Sequence, residues 1–173
     1  MTVRVVELTH DLVDEAARLH TRIWQVAYRG MVPDEALEAL DWRPRRDEFA
    51  TLLAHPLGVG WMAAVDQENQ VRGHVRAGRA PAGHEPGVGE LYLLYVDPDH
   101  WGTGLGQRLL GAGEDLMIEV GCDRGQLWTF EANRRAQAFY RANGWALDGR
   151  SMQDTSILPG HAITEVALTR TLS

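Results

Sequence analysis

The stretch VDPDHWGTGLGQRLL, residues 96–110, joins the end of an apolar strand to the start of an apolar helix. The residues leading into it, ELYLLYV (90–96), are nearly all apolar or aromatic, which is typical of a central strand buried on both faces. The apolar spacing after the turn predicts a helix from about Thr103 to Val120. Glycine stands at three alternate positions of the turn: Gly102, Gly104 and Gly106.

Glycines in such a turn indicate a place where a ligand approaches the backbone closely. Glycine adopts positive φ at little cost and leaves space where a Cβ would stand. The first N–H groups of a helix lack partners within the helix, and the helix dipole favours an anion there. These features together predict a phosphate cradle, and the alternative is a glycine-rich connector with no ligand.

Two familiar phosphate-binding patterns do not fit the turn. The P-loop pattern requires a lysine after its last glycine, and no such lysine follows here. The dinucleotide pattern G-x-G-x-x-G requires a third glycine, but Gln107 or Leu109 stands at that position, depending on the starting glycine. A dinucleotide-binding module is therefore disfavoured.

The rest of the chain alternates strand and helix patterns without repeats or a linker, which predicts one mixed α/β (α+β) domain over residues 1–173. Helical spacing is found between Thr9 and Gly30, with Thr9 as N-cap. Further helices are predicted at 33–40, 45–54 and 133–144. Strands are predicted at 3–7, 60–66, 70–78, 125–132, 145–149 and 162–170, with a loop at 79–89.

Composition excludes several classes of protein. The formal net charge of −7 argues against a general nucleic-acid binder, which normally displays a basic face. No apolar run is long enough to cross a membrane, and charges interrupt the N-terminal segment, so neither a membrane span nor a signal peptide is expected. The lone Cys122 suits a reducing cytoplasm. The seven histidines show no metal-ligand spacing, so no metal site is expected.

Two ordered blocks of the sequence resemble the GNAT family of N-acetyltransferases. In that family the coenzyme A pyrophosphate loop reads [RQ]-x-x-G-x-[GA] after a V-x-P strand end, and Gly104, Gly106, Val96 and Pro98 match it. Trp101 departs from the pattern, because it stands where arginine or glutamine is usual. The second block, LWTFEANRRAQAFYRANGWALDG, matches the family's strand, N-x-x-A-x-x-x-Y helix and following strand through these residues: Asn133, Ala136, Tyr140, Gly144 and Trp145.

The resemblance implies a mixed, twisted sheet of about seven strands with helices on both faces. It implies a splay between the strands at 90–96 and 125–132, where acetyl-CoA would enter as co-substrate. The acceptor would be a small-molecule amine or a peptide amine, and a homodimer is compatible with the family. The rival interpretation is a non-catalytic acyl-CoA-binding or regulatory module on the same fold, because fold alone does not establish activity.

The resemblance also assigns cofactor contacts. Tyr95 and Val96 would pair through their backbone with the pantetheine arm, and Asn133, which is also a predicted N-cap, would face the same arm across the splay. The backbone amides of the turn would hold the pyrophosphate: Trp101, Gly102, Thr103, Gly104, Leu105 and Gly106.

Tyr140 is the predicted acid. It lies two helical turns after Asn133, so both side chains share one face, and the resemblance implies that it protonates the departing thiolate. The alternative is a core tyrosine beside Phe139. Trp24, Tyr28 and Arg29 are candidates for the acceptor pocket or simply one face of an amphipathic helix.

Glu90 is the predicted base, because partial burial at the start of an apolar strand would raise the pKa of its carboxyl group. The alternative is a solvated glutamate at a strand end. Glu131 is a second candidate, and its alternative is an ion pair with Arg134 or Arg135.

Overall fold

Seven strands form one sheet in the computed structural model, which describes residues 2–173. The strands are β1 (Arg4–Glu7), β2 (Val59–Val65), β3 (Val71–Arg79), β4 (Val88–Val96), β5 (Arg124–Phe130), β6 (Ala146–Leu158) and β7 (His161–Thr171). Their order across the sheet is β1-β2-β3-β4-β5-β7-β6. β4 and β5 run parallel, and the other neighbouring strands pair antiparallel.

The helices lie on both faces of this sheet. They are α1 (Val13–Ala27), α2 (Asp34–Glu38), α3 (Trp42–Ala54), α4 (Leu105–Glu119) and α5 (Arg134–Ala142). The mixed α+β sheet with helices on both faces confirms the predicted fold class. None of the helices within residues 2–173 is long and apolar enough to span a membrane.

One face of the sheet is covered by α4. Leu109 and Met117 of this helix are fully buried against apolar side chains of the central strands, such as Val75 and Leu127. A Cβ at Gly113 would lie 2.8 Å from Cγ2 of Val75, so glycine is needed for the close approach of helix and sheet.

The opposite face is covered by α1 and α3. Ala16, Leu19 and Ile23 recur at helical spacing on α1 and are buried against Trp61 and Ala63 of β2. Ala64, between Ala63 and Val65, is buried on the opposite face with α4, as the period of two in a strand requires.

The central splay is present. Pairing between β4 and β5 ends at Leu91 opposite Leu127, although the two strands continue to Val96 and Phe130. The register between β3 and β4 shifts at the same level, because Arg76 pairs with Leu93 and the next residue, Ala77, pairs with Leu91. This bulge leaves one residue of β4 without a partner and bends the strand where it leaves β5.

Several predicted boundaries were wrong. The predicted strand at 145–149 is a strand of Ala146–Leu158, because β6 is an exposed edge strand whose side chains lack the alternating apolar pattern. The loop predicted at 79–89 is shorter, since β3 ends at Arg79 and β4 begins at Val88. The side chain of Thr9 caps no helix and instead donates a hydrogen bond to Asp11. A short 3-10 turn, His10–Leu12, precedes α1.

Candidate active site

A cavity of about 830 Å³ lies where β4 and β5 separate. Its walls come from the ends of these two strands, the turn after β4, and parts of α1, α5 and β7. Eight of the predicted site residues line it: Tyr95, Val96, Trp101, Gly102, Gly104, Gly106, Asn133 and Tyr140. The splay therefore collects residues that are distant in sequence around one space.

The glycines of the turn have two different roles. Gly102 and Gly104 have φ of 74° and 85°, the left-handed conformation that favours glycine. Gly106 needs no positive φ; a Cβ there would lie 3.2 Å from Cε2 of Phe139, so this glycine lets α4 approach α5. Gly104 precedes the first turn of α4, and no side chain among residues 2–173 caps that helix. The free N–H groups therefore suit an anion.

Trp101, the residue that departs from the family pattern, is fixed by two contacts. Its Nε1 donates a hydrogen bond to the carbonyl of Val96 at 2.9 Å. The guanidinium of Arg135 lies over its ring, 3.2 Å from the centroid, and both residues line the cavity. The arginine from α5 thus brings a positive charge beside the turn, and the carbonyl of Val96 is already engaged by the indole.

The side chains of Thr103, Leu105 and Tyr95 do not point to a ligand at the glycine turn. The hydroxyl of Thr103 donates to the carbonyl of His100 at 2.7 Å, which closes the turn. The side chain of Leu105 is 3% exposed and packs in the core, so only its amide is available to a ligand. The hydroxyl of Tyr95 accepts a hydrogen bond from Nε1 of Trp24 at 3.2 Å, so its side chain belongs to the far end of the cavity.

Asn133 and Tyr140 lie on one face of α5. The Oδ1 atom of Asn133 accepts a hydrogen bond from the backbone N–H of Ala136 at 3.0 Å, which confirms its predicted role as N-cap. The ring of Tyr140 packs edge-on against Trp145 and is 8% exposed, while the residue also lines the cavity. Tyr140 is therefore a core residue that also forms part of the cavity wall. Burial raises the pKa of its phenol, and the nearby Tyr95 raises it further.

The two glutamates predicted as bases do not line the cavity. The carboxylate of Glu90 accepts a hydrogen bond from Nε2 of Gln126 at 2.8 Å, and burial raises its pKa as expected. Glu131 is exposed, and Arg135, one of its two expected ion-pair partners, stacks on Trp101 instead.

Within residues 2–173, no group of three or more His, Cys, Asp or Glu side chains is arranged to hold a metal ion.

Two residues at the far end of the cavity were missed by the sequence analysis. Glu165 of β7 lines the cavity and is 8% exposed; burial raises the pKa of its carboxyl group to about 7, and the charges of Asp154 and Glu90 contribute. His20 of α1 lines the same space, is 3% exposed, and neither ring nitrogen has a hydrogen-bond partner. The sequence held a signal for Glu165: a charged residue at an inward position of a strand, between the buried Ile163 and Ala167.

Comparisons with known proteins agree with this geometry. Residues 15–145 match the family described as the acetyltransferase (GNAT) family. The uncharacterized N-acetyltransferase YuaI of Bacillus subtilis is 25% identical over 168 residues, which are 97% of this chain and 91% of that protein. The crystal structure of the PaiA N-acetyltransferase of Thermoplasma acidophilum in complex with coenzyme A has a TM-score of 0.75 over 99% of both chains at 17% identity.

A further group of relatives is much longer than this chain. The mycothiol acetyltransferase of Salinispora arenicola is 38% identical over 113 residues, which are 61% of this chain and 33% of that protein. The matched region therefore spans about a third of the length of that relative.

Proposed function

This chain belongs to the acetyltransferase (GNAT) family and is an N-acetyltransferase, and from that premise we propose that it transfers acetyl from acetyl-CoA to a primary amine by direct attack in a ternary complex. The observation that carries the proposal is the shared cavity: the uncapped start of α4 and Tyr140 both open into it. Direct transfer needs the donor and the acceptor side by side, and a single cavity between the splayed strands provides room for both.

The turn and the two helices beside it fit the diphosphate of coenzyme A. Gly102 and Gly104 hold a left-handed backbone with open space where a Cβ would stand. The amides at the start of α4 offer donors to phosphate oxygens, and Arg135 adds a positive charge over Trp101. In this proposal the amides of the turn hold the diphosphate, and Asn133, Tyr95 and the backbone of Val96 flank the pantetheine arm.

Tyr140 is proposed to supply the proton that the leaving thiolate needs. The amine nitrogen attacks the thioester carbonyl carbon, the C–S bond breaks, and the phenol gives its proton to sulfur. Burial keeps the pKa of Tyr140 above its usual value, so the phenol is protonated at neutral pH, as an acid must be. The same burial disfavours a free phenolate. Tyr140 is therefore expected to accept a proton from the amine nitrogen as it donates its phenol proton to sulfur.

A small-molecule amine is the proposed acceptor, and a peptide amine is the alternative. The relative named mycothiol acetyltransferase supports a small acceptor, and the far end of the cavity is bounded by α1 and by residues of β6 and β7. Glu90 remains the sequence-based prediction for the base.

The test is release of free thiol from acetyl-CoA across a panel of small amines and short peptides. Turnover with a small amine and not with a peptide is the expected result. If coenzyme A raises the unfolding temperature but no amine or peptide supports turnover, the non-catalytic binding module is the better interpretation. If neither coenzyme A nor acetyl-CoA shifts the unfolding temperature, the assignment of the turn as the cofactor cradle is wrong.

A further inference from the structure

Aromatic side chains form the wall of the cavity at the end away from the glycine turn. The rings of Trp24 and Tyr28 lie 4.6 Å apart between centroids, and those of Tyr28 and Phe130 also lie 4.6 Å apart. All three residues line the cavity. Such a wall suits an apolar group, and its ring faces also attract a cation.

A carboxylate without partners lies beside this wall. Glu165 pairs with Phe130 across β5 and β7, so its backbone is fixed next to the end of the wall. No hydrogen bond or ion pair reaches its carboxylate from the described part of the chain, although the residue is only 8% exposed. At least part of the carboxylate is open to the cavity, where a positively charged ligand group can pair with it.

His20 lies beside Tyr95 at this end of the cavity and is 3% exposed. Its ring lies 4.4 Å from that of Tyr95 between centroids, and both of its nitrogens lack partners. Burial holds the pKa of His20 well below its usual value, so this imidazole is neutral and does not repel a cation.

The charged and titratable groups around Glu165 are mostly acidic or neutral. They come from the strands on either side and from α1 and α3: Asp154, Glu90, Tyr28, Tyr95, His20, Arg45 and Glu48. Two cations line the same cavity: Arg45 of α3, which is paired with Glu48 at 2.7 Å, and Arg135 of α5, which is stacked on Trp101. The local field therefore favours a cationic ligand over an anionic one.

We propose that Glu165 receives the ammonium group of an acceptor with an apolar body against the Trp24–Tyr28–Phe130 wall, and that it takes the proton which frees the amine for attack. This inference rests on the proposed function and deepens it, because it names the base and the class of acceptor. Glu90 is less suited to this task, since its carboxylate is held by Gln126 and lies outside the cavity lining.

The protons and electrons of the step balance. One N–H bond of the ammonium breaks, and its proton moves to the carboxylate of Glu165 while the nitrogen keeps the electron pair. That pair forms the N–C bond, the C–S bond breaks, and sulfur takes the proton of Tyr140. The second proton lost by nitrogen returns to the oxygen of Tyr140, and Glu165 releases its proton to solvent. One ammonium and one acetyl thioester give one amide, one thiol and one proton.

The pH dependence of kcat/KM tests the assignment with the full chain and a primary amine. A group that must be deprotonated to act gives a rate that rises with pH through its pKa, which for Glu165 is raised to about 7 by burial. We expect Glu165→Gln to lower kcat/KM about 100-fold and to abolish the rising limb. Glu90→Gln removes another charge that raises the pKa of Glu165, so it should move the limb to lower pH without abolishing it.

Asp154→Asn sharpens this test, because it removes a charge that raises the pKa of Glu165. The rising limb should move to lower pH while the plateau stays unchanged. A limb that Glu90→Gln abolishes and Glu165→Gln preserves would overturn the inference and leave the proposed function standing. Unchanged affinity for coenzyme A, measured by calorimetry, shows that Glu165→Gln is folded; if it is not, Glu165→Asp, which keeps a carboxylate, should retain the limb at a lower rate.

A binding experiment tests the inference without turnover. Benzylamine and its neutral counterpart benzyl alcohol are titrated into the chain saturated with coenzyme A at pH 8, where Glu165 carries its charge. We expect benzylamine to bind at least about 10-fold more tightly than benzyl alcohol, and Glu165→Gln to remove the difference. Equal affinities in the wild type, or no binding of either probe, would overturn the inference, whereas a wild type that binds benzylamine but acetylates no amine would overturn the proposed function alone.

Discussion

The two ends of the cavity are built in different ways. The end at the glycine turn is made of consecutive residues, from Val96 to Gly106, and its contacts are mostly backbone amides and left-handed glycines. The far end is made of side chains that are distant in sequence, from His20 on α1 to Glu165 on β7. A site made from one continuous segment leaves a readable motif, whereas a site assembled from several elements looks like ordinary core until the fold brings those elements together.

Tyr140→Phe has the largest expected effect, because Tyr140 is the proposed acid and lines the cavity that both ends share. Removing the hydroxyl removes the proposed proton donor and leaves the ring packed against Trp145. We expect kcat to fall about 100-fold at saturating acetyl-CoA, with the affinity for coenzyme A unchanged. Steady-state thiol release and calorimetry with coenzyme A measure the two quantities.

Tyr92→Phe is the matched control for this variant. The hydroxyl of Tyr92 donates to the carbonyl of Arg79 at 2.6 Å, so its loss affects a contact between strands and no proton transfer. We expect kcat within about twofold of the wild type. Equal losses of kcat in the two variants would mean that Tyr140 matters for packing and does not act as the acid.

Acid sensitivity of folding is the next largest effect, and it should come from His20 at the far end and from the buried His74 beside it. Burial lowers the pKa of His74 from 6.5 to about 3, and burial also lowers the pKa of His20. The unfolded chain therefore takes up these protons first, so stability is lost as the pH falls below 6.5. Between pH 6.5 and pH 5 each histidine that must stay neutral should cost about 2 kcal/mol of the free energy of unfolding.

Urea unfolding at several pH values checks this expectation. His74→Gln keeps an acceptor for the indole of Trp61, which bonds Nδ1 of His74 at 3.1 Å, but it does not titrate. The free energy of unfolding of this variant should fall less steeply below pH 6.5. At pH 5 the variant should have lost about 2 kcal/mol less than the wild type. His55→Gln, at an exposed position, should keep the wild-type slope. The same slope in the wild type and in His74→Gln would contradict the assignment of a neutral buried His74.

The same contrast explains how much could be predicted from the sequence. The motif around Gly104 and the helix after Asn133 predicted the family, the splay and most of the residues that line the cavity at the glycine turn, because that part of the wall is one continuous segment. The packing role of Gly106 could not be read, since it depends on Phe139 of another helix. The link from Trp101 to Val96 and Arg135 could not be read either, because the loop geometry decides it.

The far end was less predictable for a physical reason. The place of Glu165 in the cavity depends on where the neighbouring strand ends, because Glu165 lies opposite Phe130 at the end of β5. Trp24 and Tyr28 have the spacing of any buried helix face, so their place in the cavity follows from the packing of α1 over the splay. Strand β6 was too short in the prediction because its exposed side chains carry no alternating pattern.

Gly104→Ala tests whether the cofactor end depends on backbone conformation. An L-residue in the left-handed region costs about 1–2 kcal/mol, so alanine should shift the turn away from the conformation that binds. We expect the affinity for coenzyme A to fall about 5- to 30-fold. Gly111→Ala, inside α4 with open space at its Cβ, should leave this affinity unchanged and raise the free energy of unfolding by about 0.5–1 kcal/mol. Unchanged affinity in Gly104→Ala would mean that the turn does not hold the diphosphate.

Arg135→Gln has the smallest expected effect and asks whether a side chain also contributes at the cofactor end. Its guanidinium is stacked on Trp101 at an exposed position, where it adds one charge beside several backbone donors. The loss should weaken coenzyme A binding about fivefold, or about 1 kcal/mol, and reduce its salt dependence, because one fewer charge is screened. Arg134→Gln is the control, since the neighbouring Arg134 neither stacks on Trp101 nor lines the cavity. If both variants lose the same affinity, the charge acts at long range and Trp101 does not position it. If only Arg135→Gln loses affinity, α5 supplies a charge at the turn, where the family pattern has arginine or glutamine and this chain has Trp101.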